Sequence, residues 1–523
     1  MRVPLLAAAL VAAMVTTTLP ATAVTANDDA DTVRFALTKV SGPSSDRRFT
    51  AQLRCDDTTA ARATLVHPKQ SVQVRAHAAA TRTCTVELRA EAVPGRTDEV
   101  TYTIYQDDRV LARRVAYARN GRSVSSDFIA PHGEVQVDIE VASLARDRVG
   151  VPVRAMAFNI WRSGTLDAHP EGDQNLAELI EFVRSEDPDI LFMVETYGSG
   201  EKIVDGLNKG LPRERRYTGV RITREPDQTP TEDNLWLFTR FPVEKVYPRL
   251  GEGDLTSFNF GGARLRLPNG ERLHAFPTWL HHTDGATNLT NQSALEEVLG
   301  LGRTYTDQQI VDTDKRRRIG MATTLLEERL PGYLAEDSRY ADAPVLLGGD
   351  FNTLSHLDWS ARFANAPGHA GLVLDWPVTR MFTQAGFTDT YRWANPDAGR
   401  YPGRTWSPIN GFGYAPQRID YVLARGEDVR VLSSHTRARR LPAHRGSDLD
   451  EIYPFYSDHG AVVTDLLIRG KGTGPKRPPV TDAPEPPAAD WPEPPAGRPV
   501  PAAELTATAT SEQSGGGAAR AVD

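Results

Sequence analysis

Five polar clusters sit at the ends of apolar, strand-like runs, and they bring together carboxylates, amides and an imidazole, the groups that bind cations and move protons. They are Met156-Ala157-Phe158-Asn159-Ile160-Trp161, Asp189-Ile190-Leu191-Phe192-Met193-Val194-Glu195, Leu347-Gly348-Gly349-Asp350-Phe351-Asn352, Gln417-Arg418-Ile419-Asp420-Tyr421-Val422 and Tyr456-Ser457-Asp458-His459-Gly460-Ala461-Val462. Glu195 ends an otherwise apolar run, a place where a carboxylate is avoided unless it is paired or bound to a cation. Asp350 and Asn352 lie two residues apart at a strand end, so both side chains can face one way. A carboxylate beside an amide can hold a hard cation, a water and a phosphate oxygen. Asp458 and His459 precede an alternating strand that fixes their position, and Asp420 is a second acid able to orient the His459 imidazole and stabilise its charged form. Singly these signals are weak, because a strand-end Asp also caps turns and a lone His is usually structural. Five in series on one α/β chain point to a site.

The elements that must position these residues alternate in type from Val151 onward. Val153–Phe158, Ile190–Val194, Val345–Leu347, Ile419–Leu423 and Ala461–Ile468 read as strands, and Asn175–Arg184, Arg316–Leu330 and Val378–Ala385 as helices. Such alternation over residues 151–470 predicts one sizeable α/β domain, and α/β architectures place their sites at the carboxyl ends of strands. Residues 30–147 differ. Short β-branched or alternating runs such as Phe49–Leu53, Ser71–Ala76 and Val100–Tyr105, separated by turn-rich stretches, predict a small all-β sandwich with no catalytic constellation.

The chain has 523 residues, a formal net charge of −8, 40% hydrophobic and 24% charged residues. These are values of a soluble globular protein of two or three domains, with no global basic signal for nucleic acid. Arg2, the apolar run Leu5–Val15 and the small residues around Ala21-Thr22-Ala23 and Val24-Thr25-Ala26 read as a signal peptide over residues 1–26, which implies a secreted protein. The run is too short to span a bilayer, and no stable membrane insertion is expected. In an oxidising compartment the two cysteines, Cys55 and Cys84, are expected to form one disulfide. Residues 471–502 are Pro-rich and read as an extended linker.

The order Asn159, Glu195, Gly349-Asp350-Phe351-Asn352, Arg418-Ile419-Asp420-Tyr421, Ser457-Asp458-His459 resembles the endonuclease/exonuclease/phosphatase superfamily, the DNase I-like group that includes abasic-site endonucleases, sphingomyelinases and inositol polyphosphate phosphatases. Phe238-Thr239-Arg240-Phe241-Pro242-Val243 is similar to a further family strand. The resemblance, to a secreted bacterial-type member, implies a four-layer α/β sandwich and hydrolysis of a phosphodiester or phosphomonoester with Mg²⁺, Mn²⁺ and Ca²⁺ being alternatives. It implies that Glu195 ligates the metal with Asn159 close by, and that Asp350 positions or deprotonates the attacking water. Asn352 would hold a phosphate oxygen, His459 would contact the phosphoryl group or act as general base, oriented by Asp420, and Asp458 is a further candidate metal ligand. The family's usual strand-end His-Leu is here Trp279-Leu280, followed by His281-His282. His281 is the candidate to replace the missing imidazole, since it shares the face of Trp279 if the strand continues; the other reading makes Trp279 a packing or substrate-stacking residue and both histidines loop residues.

The substrate stays open between a nucleic acid or nucleotide and a phosphomonoester or phospholipid headgroup, and the expected assembly is a monomer. A non-catalytic binding protein on the same fold is the alternative class. The loop Ser355-His356-Leu357-Asp358-Trp359 is either a substrate-shaping element or a packed loop, and Lys315-Arg316-Arg317-Arg318 a solvated helix face. Residues 503–523 resemble the start of a discoidin-like domain, incomplete here and too short to bury a core.

Overall fold

Strand backbones between Val33 and Ser143 and residues 150–469, apart from 167–169, 226–228, 230–231, 283–284, 407–413 and 439–454, are described by the computed structural model. The expected signal segment, the Pro-rich linker and the discoidin-like segment lie outside the described residues.

The first region is built of β1 (Val33–Lys39), β2 (Phe49–Cys55), β3 (Thr58–Leu65), β4 (Gln70–Ala78), β5 (Arg82–Ala90), β6 (Thr97–Gln106), β7 (Arg109–Arg119), β8 (Ser123–Ala130) and β9 (Gly133–Ser143). They form antiparallel sheets of order β1-β4-β9-β6-β7 and β3-β2-β5-β8. Cys55 and Cys84 are register partners on β2 and β5.

The second region holds two six-stranded sheets. One has β10 (Gly150–Asn159), β11 (Ile190–Val194), β12 (Thr218–Arg221), β13 (Trp236–Thr239), β20 (Val429–Arg437) and β21 (Ala461–Arg469), in the order β12-β13-β11-β10-β21-β20. The other has β14 (Val243–Val246), β15 (Ala263–Arg266), β16 (Arg272–Trp279), β17 (Val345–Asp350), β18 (Thr388–Asp389) and β19 (Asp420–Arg425), in the order β14-β15-β16-β17-β19-β18. Each sheet has one parallel pair, β10 with β11 and β16 with β17; the other pairs are antiparallel.

The central strands β10, β11 and β17 carry apolar residues on both faces, and the period of two sorts them into different layers. Ala155, Ala157, Ile190, Phe192 and Val194 meet Leu346, Val422 and Ala424 between the sheets. The intervening Met156, Phe158, Leu191 and Met193 turn outward against Leu176, Leu179 and Val183 of α1 (Gly172–Glu186) and Ile203 and Leu207 of α2 (Gly200–Asn208). On the far side, Val345 and Leu347 pack outward with Met321 and Leu325 and with Val378 and Phe382. The result is the α/β/β/α four-layer sandwich. Gly348 sits where the sheets press together, since a Cβ there would fall 2.0 Å from the Phe192 ring.

Beyond α3 (Ala286–Leu299), helix α4 (Asp307–Thr323) opens with a capping box between Thr306 and Gln309. It continues through a π-helical turn, Thr324–Arg329, into α5 (Leu330–Ala335). The helix expected over Arg316–Leu330 therefore starts a full nine residues earlier, at a cap that apolar periodicity does not reveal. The remaining helices are α6 (Pro377–Gln384) and α7 (Thr390–Ala394). Among the described residues no helix is long and apolar enough to cross a membrane.

Candidate active site

Parallel pairing brings β10 and β11 to an end together, so Asn159 and Glu195 emerge at one edge of their sheet. In the facing sheet β17 ends at Asp350, and antiparallel β19 begins at Asp420, its register partner. His459 lies two residues before β21, which pairs with β10.

Asn159 joins the two sheets. The Trp161 backbone N–H donates to its Oδ1 at 2.9 Å, which fixes the amide's orientation and aims Nδ2 at the acids. Nδ2 donates to Glu195 Oε1 at 2.9 Å and to Asp350 Oδ2 at 3.1 Å, and lies 3.3 Å from His459 Nε2. Glu195 has a φ of 59°. Its N–H donates to Asn234 Oδ1 at 2.7 Å, its Oε2 accepts from the Arg162 N–H at 3.2 Å, and its carbonyl accepts from the Ser163 N–H at 2.8 Å. Trp161, Arg162 and Ser163 are also left-handed, with φ of 47°, 45° and 68°. Each such non-Gly residue costs about 1–2 kcal/mol, so contacts to Glu195 hold this turn in place.

Asp350 is buried and receives Asn352 twice, from N–H to Oδ1 at 2.8 Å and from Nδ2 to Oδ2 at 2.9 Å. Asn352 Nδ2 also donates to the Leu280 carbonyl at 3.0 Å. Both amide hydrogens of Asn352 are thus committed, and in this geometry the residue orients Asp350. Gly349 before it has a φ of 146°, and a Cβ there would lie 2.0 Å from the Thr278 carbonyl oxygen.

His459 Nδ1 is 2.8 Å from Asp420 Oδ2, an acceptor that places a proton on that nitrogen. Thr405 Oγ1 accepts the Ile419 and Asp420 N–H groups at 3.0 and 3.1 Å and so fixes the start of β19. Ser457 Oγ donates to the Asn159 carbonyl at 2.8 Å and accepts the His459 N–H at 3.1 Å. Asp458 Oδ2 accepts from Trp406 Nε1 at 3.1 Å, while Asp458 Oδ1 and Asp350 Oδ2 each lie 3.9 Å from His459 Nε2. Burial opposes a charge on His459, yet Asp420, Asp458 and Asp350 hold its pKa well above the usual value. Burial, then the neighbouring Asp420, push Asp350 up to about 8.

Asn159, Glu195, Asp350, Asn352, Asp420, Asp458 and His459 are therefore brought together. His281 is not placed as the continuing strand would place it: β16 stops at Trp279, the register partner of Asp350. The Leu280 N–H still donates to the Asp350 carbonyl at 3.0 Å, as the last bond of the parallel ladder, and the chain beyond it leaves the strand. The His281 carbonyl accepts from Arg318 Nε at 2.7 Å, and its ring lies 5.6 Å from that of His282. Trp279 is buried in the inter-sheet core, edge-on to Phe258 at 5.5 Å.

The model of the endonuclease/exonuclease/phosphatase family matches residues 156–459, which contain all seven gathered residues. The chain belongs to this family. An uncharacterized Caenorhabditis elegans protein is 27% identical over 326 residues, 60% of this chain and 90% of that one. An endonuclease/exonuclease/phosphatase structure from Bacteroides vulgatus aligns at 16% identity with a TM-score of 0.38, covering 61% of this chain and 100% of that chain. The human nocturnin catalytic domain with bound sulfate aligns at 17% identity with a TM-score of 0.38, covering 60% and 94%.

In this endonuclease/exonuclease/phosphatase chain the acids suit a divalent cation. Asp350, Asp420 and His459 each offer a ligand atom, all within 4.8 Å of one another. Asp420 Oδ1 is buried without a hydrogen-bond partner, and Glu195 shares the Asn159 amide with Asp350. Buried acidic oxygens in excess of their donors are the donor set of a hard cation.

Several residues that hold this family site carry no local sequence signal: Asn234, Thr405 and Trp406 reach it only through the fold. The Ser355–Trp359 loop proves to be packed. His356 bonds Thr379 Oγ1 at 3.0 Å, Trp359 lies against His369 at 4.5 Å, and Asp358 takes two bonds from Arg418 and one from Arg392, all at 2.8–2.9 Å. Of the basic run on α4, Arg316 and Arg317 are exposed but Arg318 is buried against Asp314.

Proposed function

We propose that this chain is a secreted, divalent-metal-dependent hydrolase of phosphate esters, acting by water attack on phosphorus. The observation that carries the reading is the Asn159 amide, which ties Glu195 and Asp350 together beside His459, itself paired with Asp420. Glu195, Asp350 and Asp420 would hold Mg²⁺, with Asp458 at hand, and the ion supplies positive charge toward the phosphoryl oxygens. Asp350, oriented by Asn352, is placed to accept the proton of the attacking water while the bond from phosphorus to the ester oxygen breaks, the departing oxygen taking its proton from solvent. His459, held at Nδ1 by Asp420, presents Nε2 toward a phosphoryl oxygen and, when protonated, donates to it and offsets the charge that develops there. The signal-like residues 1–26 support export.

The test is a panel of phosphodiesters, including DNA, RNA and sphingomyelin, and of phosphomonoesters, assayed with Mg²⁺, Mn²⁺ and Ca²⁺ and again in EDTA. Hydrolysis that EDTA abolishes and metal restores is expected. Metal-independent turnover, or none on any ester, would sink the reading. Amino-terminal sequencing of protein exported by the source cells should begin after the signal-like segment.

A further inference from the structure

Helix α4 carries a buried ion pair that the hydrolytic roles above do not use. Asp314 is fully buried and Arg318 is 2% exposed. Arg318 Nη1 donates to Asp314 Oδ1 at 3.0 Å. The pair reaches both strands that bound the site. Asp314 Oδ2 accepts from Thr353 Oγ1 at 2.9 Å, on the loop after β17, and Arg318 Nε donates to the His281 carbonyl at 2.7 Å, on the loop after β16. Asn352 Nδ2 closes the circuit by donating to the Leu280 carbonyl at 3.0 Å. The Thr353 carbonyl is held separately by the Tyr421 hydroxyl at 2.9 Å.

From these contacts we infer that Asp314 and Arg318 are positioning residues: they clamp the β16 and β17 loops at a fixed separation and thereby hold Asn352, and through it Asp350, in the hydrolytic geometry. The inference rests on the proposed function for its catalytic consequence, not for its geometry. Asn352 needs such a clamp because it is left-handed, with a φ of 51°, and would relax if its neighbour Thr353 were released. Both of its amide hydrogens would then leave Asp350 and Leu280, freeing the carboxylate to turn toward its other partners. This acid–base pair is buried, and its outer bonds go to a loop hydroxyl and a loop carbonyl.

Removing Asp314 or Arg318 outright leaves a buried charge and endangers the fold, so Thr353 is the gentler probe. Thr353→Val keeps the shape and deletes the hydroxyl; Thr353→Ser restores it. For an ester the wild type cleaves, Thr353→Val should lower kcat about tenfold or more with KM within about twofold, and Thr353→Ser should recover most of the loss. Hydrogen exchange, read on the same proteins without substrate, should quicken about tenfold in residues 350–353 and 280–282 together while α4 stays protected. Unchanged exchange in those segments overturns the clamp. Faster exchange with unchanged kcat overturns its positioning role. If the wild type hydrolyses no ester, the proposed function fails, and the exchange experiment still decides whether the clamp exists.

Discussion

Asp350 and Asp420 are register partners on antiparallel β17 and β19, so two buried carboxylates occupy adjacent positions on one face of a sheet. Their mutual repulsion adds to the burial that lifts Asp350 to about 8. Asp350→Asn should therefore raise the melting temperature of the protein in EDTA, because it removes the repulsion and leaves the bond of Asp420 to His459 Nδ1 in place. The same change removes the proposed acceptor of the water's proton and should lower kcat about a hundredfold. A lower melting temperature in EDTA would show that the carboxylate pair is not strained.

Relief of that repulsion by the proposed cation would make stability depend on metal. Saturating Mg²⁺ at about a hundred times its Kd would stabilise the native state by about 2.7 kcal/mol. Thermal unfolding should shift upward with Mg²⁺ in the wild type and much less in Glu195→Gln. Equal shifts in both proteins would remove Glu195 from the ligand set.

Imidazole roles divide by contact. Replacing His459 by Ala removes the group bonded to Asp420 and close to Asn159, and kcat should fall about a hundredfold with circular dichroism unchanged. His281→Ala and His282→Ala should each stay within about threefold of wild type, because the fold uses the His281 carbonyl, which either substitution keeps. A large loss in His281→Ala alone would restore that imidazole to the chemistry.

His274 links stability to acid. Its Nε2 lies 2.8 Å from the Tyr340 carbonyl, and the Tyr247 hydroxyl is 2.6 Å from its Nδ1. Burial foremost, with Arg264 and Arg425 nearby, lowers its pKa from 6.5 to about 4. Because the unfolded chain binds the proton first, stability carried by neutral His274 is complete above the unfolded pKa and drains away as pH falls toward the folded one. Between pH 6.5 and about 4 the wild type should lose melting temperature more steeply than His274→Gln. Parallel curves would mean that His274 charges freely in the native state.

Register pairing of Cys55 with Cys84 puts their Cα atoms within the span a disulfide bridges, since directly opposed antiparallel residues lie about 4.5–5.5 Å apart. Mass spectrometry of unreduced protein should recover the two linked peptides. Free thiols on both would contradict the pairing and weaken the case for export.

The strands and the five clusters were legible because each is short-range. An apolar run of five or six residues ending in a polar side chain specifies both the buried strand and the exposed edge, as at Ile190–Glu195 and Val345–Asn352. What supports them was not legible, because its partners are far apart in the chain. Asn234 holds Glu195 from 39 residues away and Asp314 holds Thr353 from 39 away, and no period connects them. Arg418 stands beside Asp420 in a motif, yet its guanidinium belongs to Asp358 and Asp389. Where β16 stops was not legible either, since the end of its pairing with β17 is set by residues some seventy positions along the chain.

The left-handed residues Trp161, Arg162, Ser163, Glu195, Tyr197 and Asn352 all follow strands that end at the site. Glycine would adopt these angles without strain. A laboratory selection for heat resistance alone would consequently drift toward glycine at several of these positions, and the lineage would gain melting temperature as it surrendered turnover. Screening such a lineage for both traits at once would map which of these angles the chemistry needs.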